Sequence, residues 1–563
     1  MKKLVNDPRR VVRQMLEGFV DLSPQQALLE GEDVVLRAGL QSPAERPVAV
    51  ISGGGSGHEP AHAGYVGAGM LTAAVAGDVF TSPSVDAVLA AIRAAAGPRG
   101  AVLVAKNYTG DRLNFGLAAE LATAEGIPTR MVIVADDVAL RETVEHGRRR
   151  GIAGTVLVHK VAGAAAAAGL PLDAVAAEAR ATSQALGSMG VALGACTVPA
   201  AGKPGFALGG DEIELGLGIH GEQGVRRASI QAADAIVDTI LQAIIDDAGL
   251  TGGERVALLV NGLGGTPPME LAIVARRALE VLRGQGILVE RAWAGNFMTA
   301  LEMPGCSLTL LRVDDARLAR LDAPADAPAW PGPGRIVPRR LVRVPAVAPP
   351  WREAAAPGPL SAALRAAALA AADALQAAEA ELTELDSHAG DGDLGISMAR
   401  GAAAIRALPD GAWATPAAAL TAMGESLRRA IGGSSGPFYA TALLRAARRL
   451  EGTSPDAVAW AEAFADAVAS IGELGGARPG DRTMLDALHP AAEAFTDAIR
   501  QGRPTAESWR AALRAAEEGA AATASMRPRL GRAAYLGDRA LGEPDAGASA
   551  VLVWMRAIAT HLG

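Results

Sequence analysis

Short runs of Val, Ile, Leu and Ala recur before residue 320: Val48–Ile51, Ala101–Val104, Met131–Val134, Thr155–Val158 and Val256–Val260. Several are followed by glycines and then by Ala/Leu-rich stretches with helical spacing. Strands alternating with helices predict an α/β architecture with buried sheets. The length of this pattern predicts two α/β subdomains, 1–188 and 189–322. The seam is placed near Ser188, where a long helical stretch gives way to Gly/Pro-rich sequence.

From Asp322 to Pro359 lie ten of the chain's 33 prolines. Proline fixes φ and removes a donor, so this stretch can be neither a regular helix nor a central strand. It predicts an extended, semi-rigid linker over 323–358, within which Leu341–Val344 could still pair as a short edge strand. Beyond it the texture changes. Leu360–Leu385, Trp413–Ala430, Thr441–Leu450, Ala457–Ile471 and Ser508–Ser525 show helical spacing with Ala as filler, and β-branched runs are nearly absent. This predicts an all-helical domain over 359–563.

Composition narrows the function classes. A chain of 563 residues holds about two to four domains. Half of it is hydrophobic but only 3% is aromatic, so the cores must be built from Ala, Leu and Val. The net charge of −8, without a dense Lys/Arg run, argues against nucleic acid; Arg148–Arg150 reads as a solvated helix end. Cys196 and Cys306 have neither disulfide nor zinc spacing and read as buried, inert thiols. The start MKKLVNDPRR has no apolar run behind it, and no run of about 18 apolar residues occurs anywhere. No signal peptide, no membrane span and a cytoplasmic location are expected.

The densest chemistry lies in Asp386-Ser-His-Ala-Gly-Asp391-Gly-Asp393-Leu-Gly395. Three carboxylates this close repel one another unless a cation offsets them. Mg²⁺ takes oxygen ligands and commonly shares its carboxylates with substrate phosphates. In a helix Asp391 and Asp393 would face apart, whereas a loop kept tight by Gly390, Gly392 and Gly395 lets them converge with Asp386. Gly432-Gly433-Ser434-Ser435-Gly436 offers backbone N–H groups and hydroxyls suited to phosphate oxygens, without a Walker A lysine. Gly475–Asp486 and Gly531–Gly547 are two more Gly-rich loops between helices. Together they predict one nucleotide site at the end of a helical bundle.

The α/β half carries its own candidates. Gly53–Pro60 (GGGSGHEP) follows a predicted strand, where ligands of open α/β sheets gather. Lys106 and Asp111 follow another. His220, flanked by glycines in GLGIHGE, could add to a small carbonyl. For each of these a solvated loop or a structural histidine is the alternative.

In order along nearly the whole chain, GGGSGHEP, KNYTGDRLNFG, GLGIHGE, NGLGGTP, MTALEMPG, the acidic loop, GGSSGP, GDRTMLDAL and the GRAAYLGDRALGEPDAGA ending resemble the ATP-dependent dihydroxyacetone kinases in their fused single-chain form. The resemblance implies a substrate half and a nucleotide-binding barrel of antiparallel helices. It implies a hemiaminal between the substrate carbonyl and His220, substrate contacts at Gly55, Ser56, Gly57 and Lys106, and proton handling by His58 and Asp111. It implies two Mg²⁺ ions on Asp386, Asp391 and Asp393. Nucleotide contacts are implied at Leu394, Gly395, Ile396, Ser397, Ser434, Ser435, Gly475, Thr483, Met484, Arg532, Asp545, Ala546 and Gly547. Leu394 stands where relatives often carry Cys or His, and Ala546 replaces the Pro of a DPG ending. ATP as co-substrate, a triose or short ketose as acceptor and a homodimer are implied as well. The other readings are a kinase for another short ketose such as erythrulose, a non-catalytic ketose sensor, and a side activity splitting FAD to cyclic FMN.

Overall fold

The computed structural model describes residues 2–222, 224–344, 358–452, 455–535 and 537–562. It divides into two compact units, Met1–Arg340 and Leu341–Gly563.

The first unit contains two six-stranded sheets. One is formed by β1 (Gln26–Leu28), β2 (Val34–Arg37), β3 (Ala49–Ser56), β4 (Ala73–Val79), β5 (Ala101–Lys106) and β6 (Thr129–Val134), in the order β1-β2-β4-β3-β5-β6. Its centre is parallel, β4-β3-β5-β6, and β2 and β1 continue it antiparallel. Every residue of β3 and β5 is buried, as expected for strands covered on both faces. The second sheet comprises β7 (Leu186–Ala192), β8 (Glu212–Leu215), β9 (Arg226–Ser229), β10 (Arg255–Gly262), β11 (Leu288–Gly295) and β12 (Gly305–Arg312), in the order β11-β10-β12-β7-β8-β9. Only β10–β11 is parallel.

The change of sheet falls at β7, which already contains Ser188, so the expected seam lies inside a strand. Asp136, just past β6, explains how the sheets are joined. Its buried carboxylate accepts from Ile152 N (2.7 Å), Gly154 N (2.9 Å) and Ser188 Oγ (2.5 Å), and Ser188 Oγ also meets Thr309 Oγ1 of β12 at 2.7 Å. One side chain thus fixes the end of the first sheet, the start of the helix Thr155–Ala167 and two strands of the second.

Three expectations are corrected. Thr155–Val158 is the first turn of that helix, not a strand. The helix is buried all round, so its apolar run carries no strand alternation and no helical stripe. The Arg cluster is not solvated as a whole: Arg149 is buried and pairs with Asp247 (2.7 and 2.9 Å), and Arg150 pairs with Asp137 (2.8 Å). The Pro-rich stretch begins as part of the first unit. Ala327 and Trp330 join its core, Trp330 lies 5.1 Å from the Trp293 ring, and Trp293 Nε1 donates to Gly332 O at 2.8 Å. Leu341–Val344 is exposed and forms no strand, and residues 345–357 of the expected linker lie outside the described residues.

The second unit is all-helical among its described residues. From the helix Leu394–Arg406 onward each helix packs on the next, and the last, Ala546–Ala559, returns to the first, Ser361–Ala377. The predicted Leu360–Leu385 helix is interrupted at Ala378, so a separate helix, Glu379–Ala389, leads into the acidic loop. Arg482, buried at φ +62°, braces the loop side: it donates to Thr523 O (3.1 Å), Ala540 O (2.7 Å) and Glu543 O (3.0 Å). No helix of the described residues is long and apolar enough to cross a membrane.

Asp136→Ala should destabilise the chain by about 2–4 kcal/mol, because it strands two buried N–H groups and a hydroxyl. Urea unfolding checks this, with the exposed Asp173→Ala as the control that changes little.

Candidate active site

Close backbone approach shapes the end of β3. A Cβ on Gly53 would stand 2.3 Å from Val75 O, one on Gly54 2.4 Å from Lys106 Nζ, and one on Gly55 2.5 Å from Thr81 N. Glycine here lets β4 and Lys106 lie against the strand. Ser56 is buried and donates to Gly77 O at 2.7 Å, and Gly57 N donates to both oxygens of Glu59. His58 follows, completely buried. Its Nδ1 lies 2.7 Å from Thr299 O, so that nitrogen must carry the proton. The other, Nε2, is buried with no partner. Burial, then the nearby His220 and Lys106, hold His58 well below the ordinary imidazole value. It is a neutral ring with an unpaired lone pair on Nε2, the state a general base requires.

Lys106 ends β5 and Asp111 lies in the first turn of the helix Thr109–Ala124, both buried. Lys106 Nζ is 3.7 Å from Asp111 Oδ2, and Asp111 Oδ1 accepts from Ser82 Oγ at 2.5 Å. Burial lowers Lys106, and the Asp111 charge opposes that shift.

His220 comes from the second sheet, on the loop between β8 and β9. Arg150 holds that loop by donating to Gly216 O at 2.7 Å. His220 Nδ1 lies 2.9 Å from Glu222 Oε1, and the His220 N–H donates to Glu222 Oε2 at 3.0 Å. Burial pushes Glu222 up, but the His220 hydrogen bond, the His220 charge and two backbone N–H groups together outweigh it and leave the carboxyl below its ordinary range. An ionised Glu222 on Nδ1–H leaves the lone pair on Nε2, the tautomer needed for attack on a carbonyl. The His220 ring lies 4.9 Å from His58, 5.4 Å from Phe80 and 4.6 Å from Tyr108. Residues from both sheets, distant in sequence, therefore meet in one aromatic-walled box.

The second unit holds the acidic loop. Ligand oxygens of Asp386, Asp391 and Asp393 all lie within 4.8 Å of one another. Asp386, in the last turn of the helix Glu379–Ala389, accepts from Asp393 N (3.0 Å) and Leu394 N (3.3 Å), which folds the loop back on itself. Gly392 takes φ +71°, and a Cβ on Gly395 would stand 2.0 Å from Glu379 O. An oxygen-only set of three carboxylates fits a hard divalent cation such as Mg²⁺.

The structure brings several of the predicted nucleotide residues together. Leu394, Gly395 and Ser397 are buried at the start of the helix Leu394–Arg406, with Ile396 exposed. Ser434 precedes the helix Ser435–Arg449, and Phe438 on that helix touches the space a Gly475 side chain would fill. Thr483 N donates to Asp486, and Met484 lies against Gly547. Asp545 caps the helix Ala546–Ala559 through Ala548 N at 2.8 Å. Burial lifts Asp545 to about 6, and the Asp486 and Asp386 charges add to that. Arg532 opens the turn Arg532–Tyr535, and its side chain lies outside the described set.

Sequence reasoning missed Glu222, Ser82, Phe80, Tyr108, Thr299 and Arg150. Glu222, two residues from His220, and Tyr108, two residues from Lys106, had a local signal. Cys196 and Cys306 are buried, and burial pushes their thiols up to about 11 and about 12.

The chain matches the Dak1 domain over residues 17–329 and the DAK2 domain over 388–560. It is 44% identical to the human triokinase/FMN cyclase, over 99% of this chain and 98% of that protein. It is 38% identical to the D-erythrulose kinase of Mycolicibacterium smegmatis, with the same coverage. Among solved structures it resembles the dihydroxyacetone kinase of C. freundii, seen in a native form and in complex with AMP-PNP and Mg²⁺. Both forms give a TM-score of 0.65 and 35% identity over 99% of each chain. The chain belongs to the dihydroxyacetone kinase family, with the Dak1 and DAK2 domains fused in one polypeptide.

Proposed function

We propose that this kinase transfers the γ-phosphoryl group of Mg·ATP to a hydroxyl of dihydroxyacetone, and also of glyceraldehyde, with the acceptor held as a hemiaminal on His220. The observation that carries the reading is the His220–Glu222 pair, whose imidazole lies 4.9 Å from the ring of the buried His58 with its unpartnered Nε2. His220 Nε2 adds to the carbonyl carbon and the carbonyl oxygen becomes a hydroxyl. The ring gives up its Nδ1 proton to Glu222, and one proton passes on from Glu222 to the oxygen, so the adduct is neutral and Glu222 ends ionised. An alcohol such as glycerol offers no carbon for this bond. The anchor fixes the acceptor's orientation and lowers the entropic cost of reaching the reactive geometry. His58 Nε2 and the Asp111 carboxylate share the proton of the attacking hydroxyl. Asp386, Asp391 and Asp393 would hold Mg²⁺, which neutralises charge on the transferred group. The AMP-PNP and Mg²⁺ in the complex of the C. freundii kinase support this assignment.

The erythrulose kinase among the relatives supports a second acceptor, since a four-carbon ketose presents the same carbonyl to His220. The human relative's name pairs kinase with FMN cyclase, which makes FAD splitting the side reaction to assay.

A panel of C3 and C4 ketoses and aldoses with Mg·ATP should give the highest kcat/KM for dihydroxyacetone. A much higher value for erythrulose would replace the acceptor, and no turnover on any would sink the kinase reading. Glu222→Ala should cut kcat/KM for the ketose by on the order of a hundredfold and abolish the adduct mass on His220, with KM for ATP unchanged. Asp391→Ala should weaken calorimetric ATP binding at low Mg²⁺ by at least about tenfold while the adduct still forms. Undisturbed ATP binding in that variant would overturn the metal assignment.

A further inference from the structure

Behind Lys106 lies a buried pair of imidazoles that the reaction above does not use. Lys106 Nζ is 3.0 Å from His62 Nε2, and His62 Nδ1 is 2.9 Å from His159 Nε2. His62 follows β3, while His159 sits on the helix Thr155–Ala167, 97 residues on. All three side chains are buried. We propose that His62 and His159 are positioning residues that hold Lys106 as an ammonium, aimed at Asp111 and the carbonyl site. This deepens, and rests on, the reading of that site as the acceptor pocket.

The hydrogen-bond directions carry the argument. Lys106 Nζ donates to Gly53 O at 3.3 Å and to His62 Nε2 at 3.0 Å, and it forms an ion pair with Asp111 Oδ2 at 3.7 Å, as an ammonium with protons only to give would. His62 then keeps its lone pair on Nε2 and its proton on Nδ1, which it donates to His159 Nε2. His159 in turn carries its proton on Nδ1, and that atom is buried without a partner. Ser52 Oγ, 3.4 Å from His62 Nδ1, is committed to Val104 O at 2.7 Å. The tautomers all follow from one charge at Lys106.

A proton relay through the pair fails. Its far end would be an imidazolium at His159, and burial pushes that ring down to about 3. The pair therefore acts as a fixed acceptor for Lys106. The groups facing Lys106 are Asp111 from the helix Thr109–Ala124, His58 and His62 from the segment after β3, and His159 through His62. Asp111 is the only anion among them. Burial lowers Lys106 and Asp111 opposes that shift; an acceptor at 3.0 Å favours the charged form, so removing His62 Nε2 should lower it further.

The test uses the full chain and two readouts. Competitive acetylation of Lys106, followed by mass spectrometry across the alkaline range, reports its protonation without reference to turnover. The pH profile of kcat/KM for dihydroxyacetone reports its role. His62→Phe should shift both the labelling midpoint and the alkaline limb to lower pH by about one unit, a tenfold change in proton affinity. His62→Gln, which keeps an acceptor, should restore most of it, and KM for Mg·ATP should stay unchanged. His159→Phe should produce a smaller shift in the same direction and carries the test if His62→Phe does not fold. Folded variants with an unmoved labelling midpoint would overturn the proposal. A shifted midpoint in the variants, with a wild-type chain that phosphorylates no ketose, would uphold the positioning and sink the acceptor reading instead.

Discussion

The carboxylate of Asp136 is the contact on which the α/β unit depends. The proposed acceptor site is divided between two sheets, and its rings must meet to within about van der Waals distance. His58 and Lys106 stand at the ends of strands in the first sheet, while His220 hangs on a hairpin loop of the second. Asp136 sets the register between them by binding two backbone N–H groups ahead of the helix Thr155–Ala167 and the hydroxyl of Ser188. Its neighbour Asp137 carries the effect onward. It grips Arg150, and Arg150 grips the Gly216 carbonyl at the base of the His220 loop. Two consecutive aspartates thus connect sheet packing to the position of the His220 ring.

Within that frame the site is made by subtraction. Three successive glycines clear the volume into which Val75, Lys106 and Thr81 press. A methyl group at Gly53 or Gly55 would force backbone apart, since the near atoms there are main chain, and one at Gly54 would push Lys106 Nζ aside. The space gained is filled by polar groups whose partners are nearly all fixed. Satisfied buried networks of this kind hold geometry tightly because each member has only one arrangement that pairs the others.

What could be read from the sequence follows from locality. The acidic loop was legible because its three carboxylates and three glycines lie within ten residues, and the structure does gather their oxygens. The strand-ending GGGSGHEP was legible for the same reason. The helix at Thr155 was not, because a run buried on every side shows neither a period of two nor of 3.6. Arg149 and Arg150 looked solvated because their roles are set by Asp247, by Asp137 and by a carbonyl on another sheet. Trp330 was lost inside a proline-rich stretch whose composition describes the backbone and says nothing of where one indole docks. The partnership of His62 with His159 spans 97 residues and leaves no trace in either neighbourhood.

His58 Nε2, buried and unpaired, has a consequence for selectivity. A carbonyl compound without a neighbouring hydroxyl could form the bond to His220, yet it would leave this acceptor as empty as before. A hydroxylated one would satisfy it on arrival. A pocket built to pair a hydroxyl rejects the analogue that lacks it far more strongly than a greasy pocket rejects a missing methylene. In the proposed mechanism the lone pair that takes the proton thereby also favours hydroxy-carbonyls over simple ketones and aldehydes.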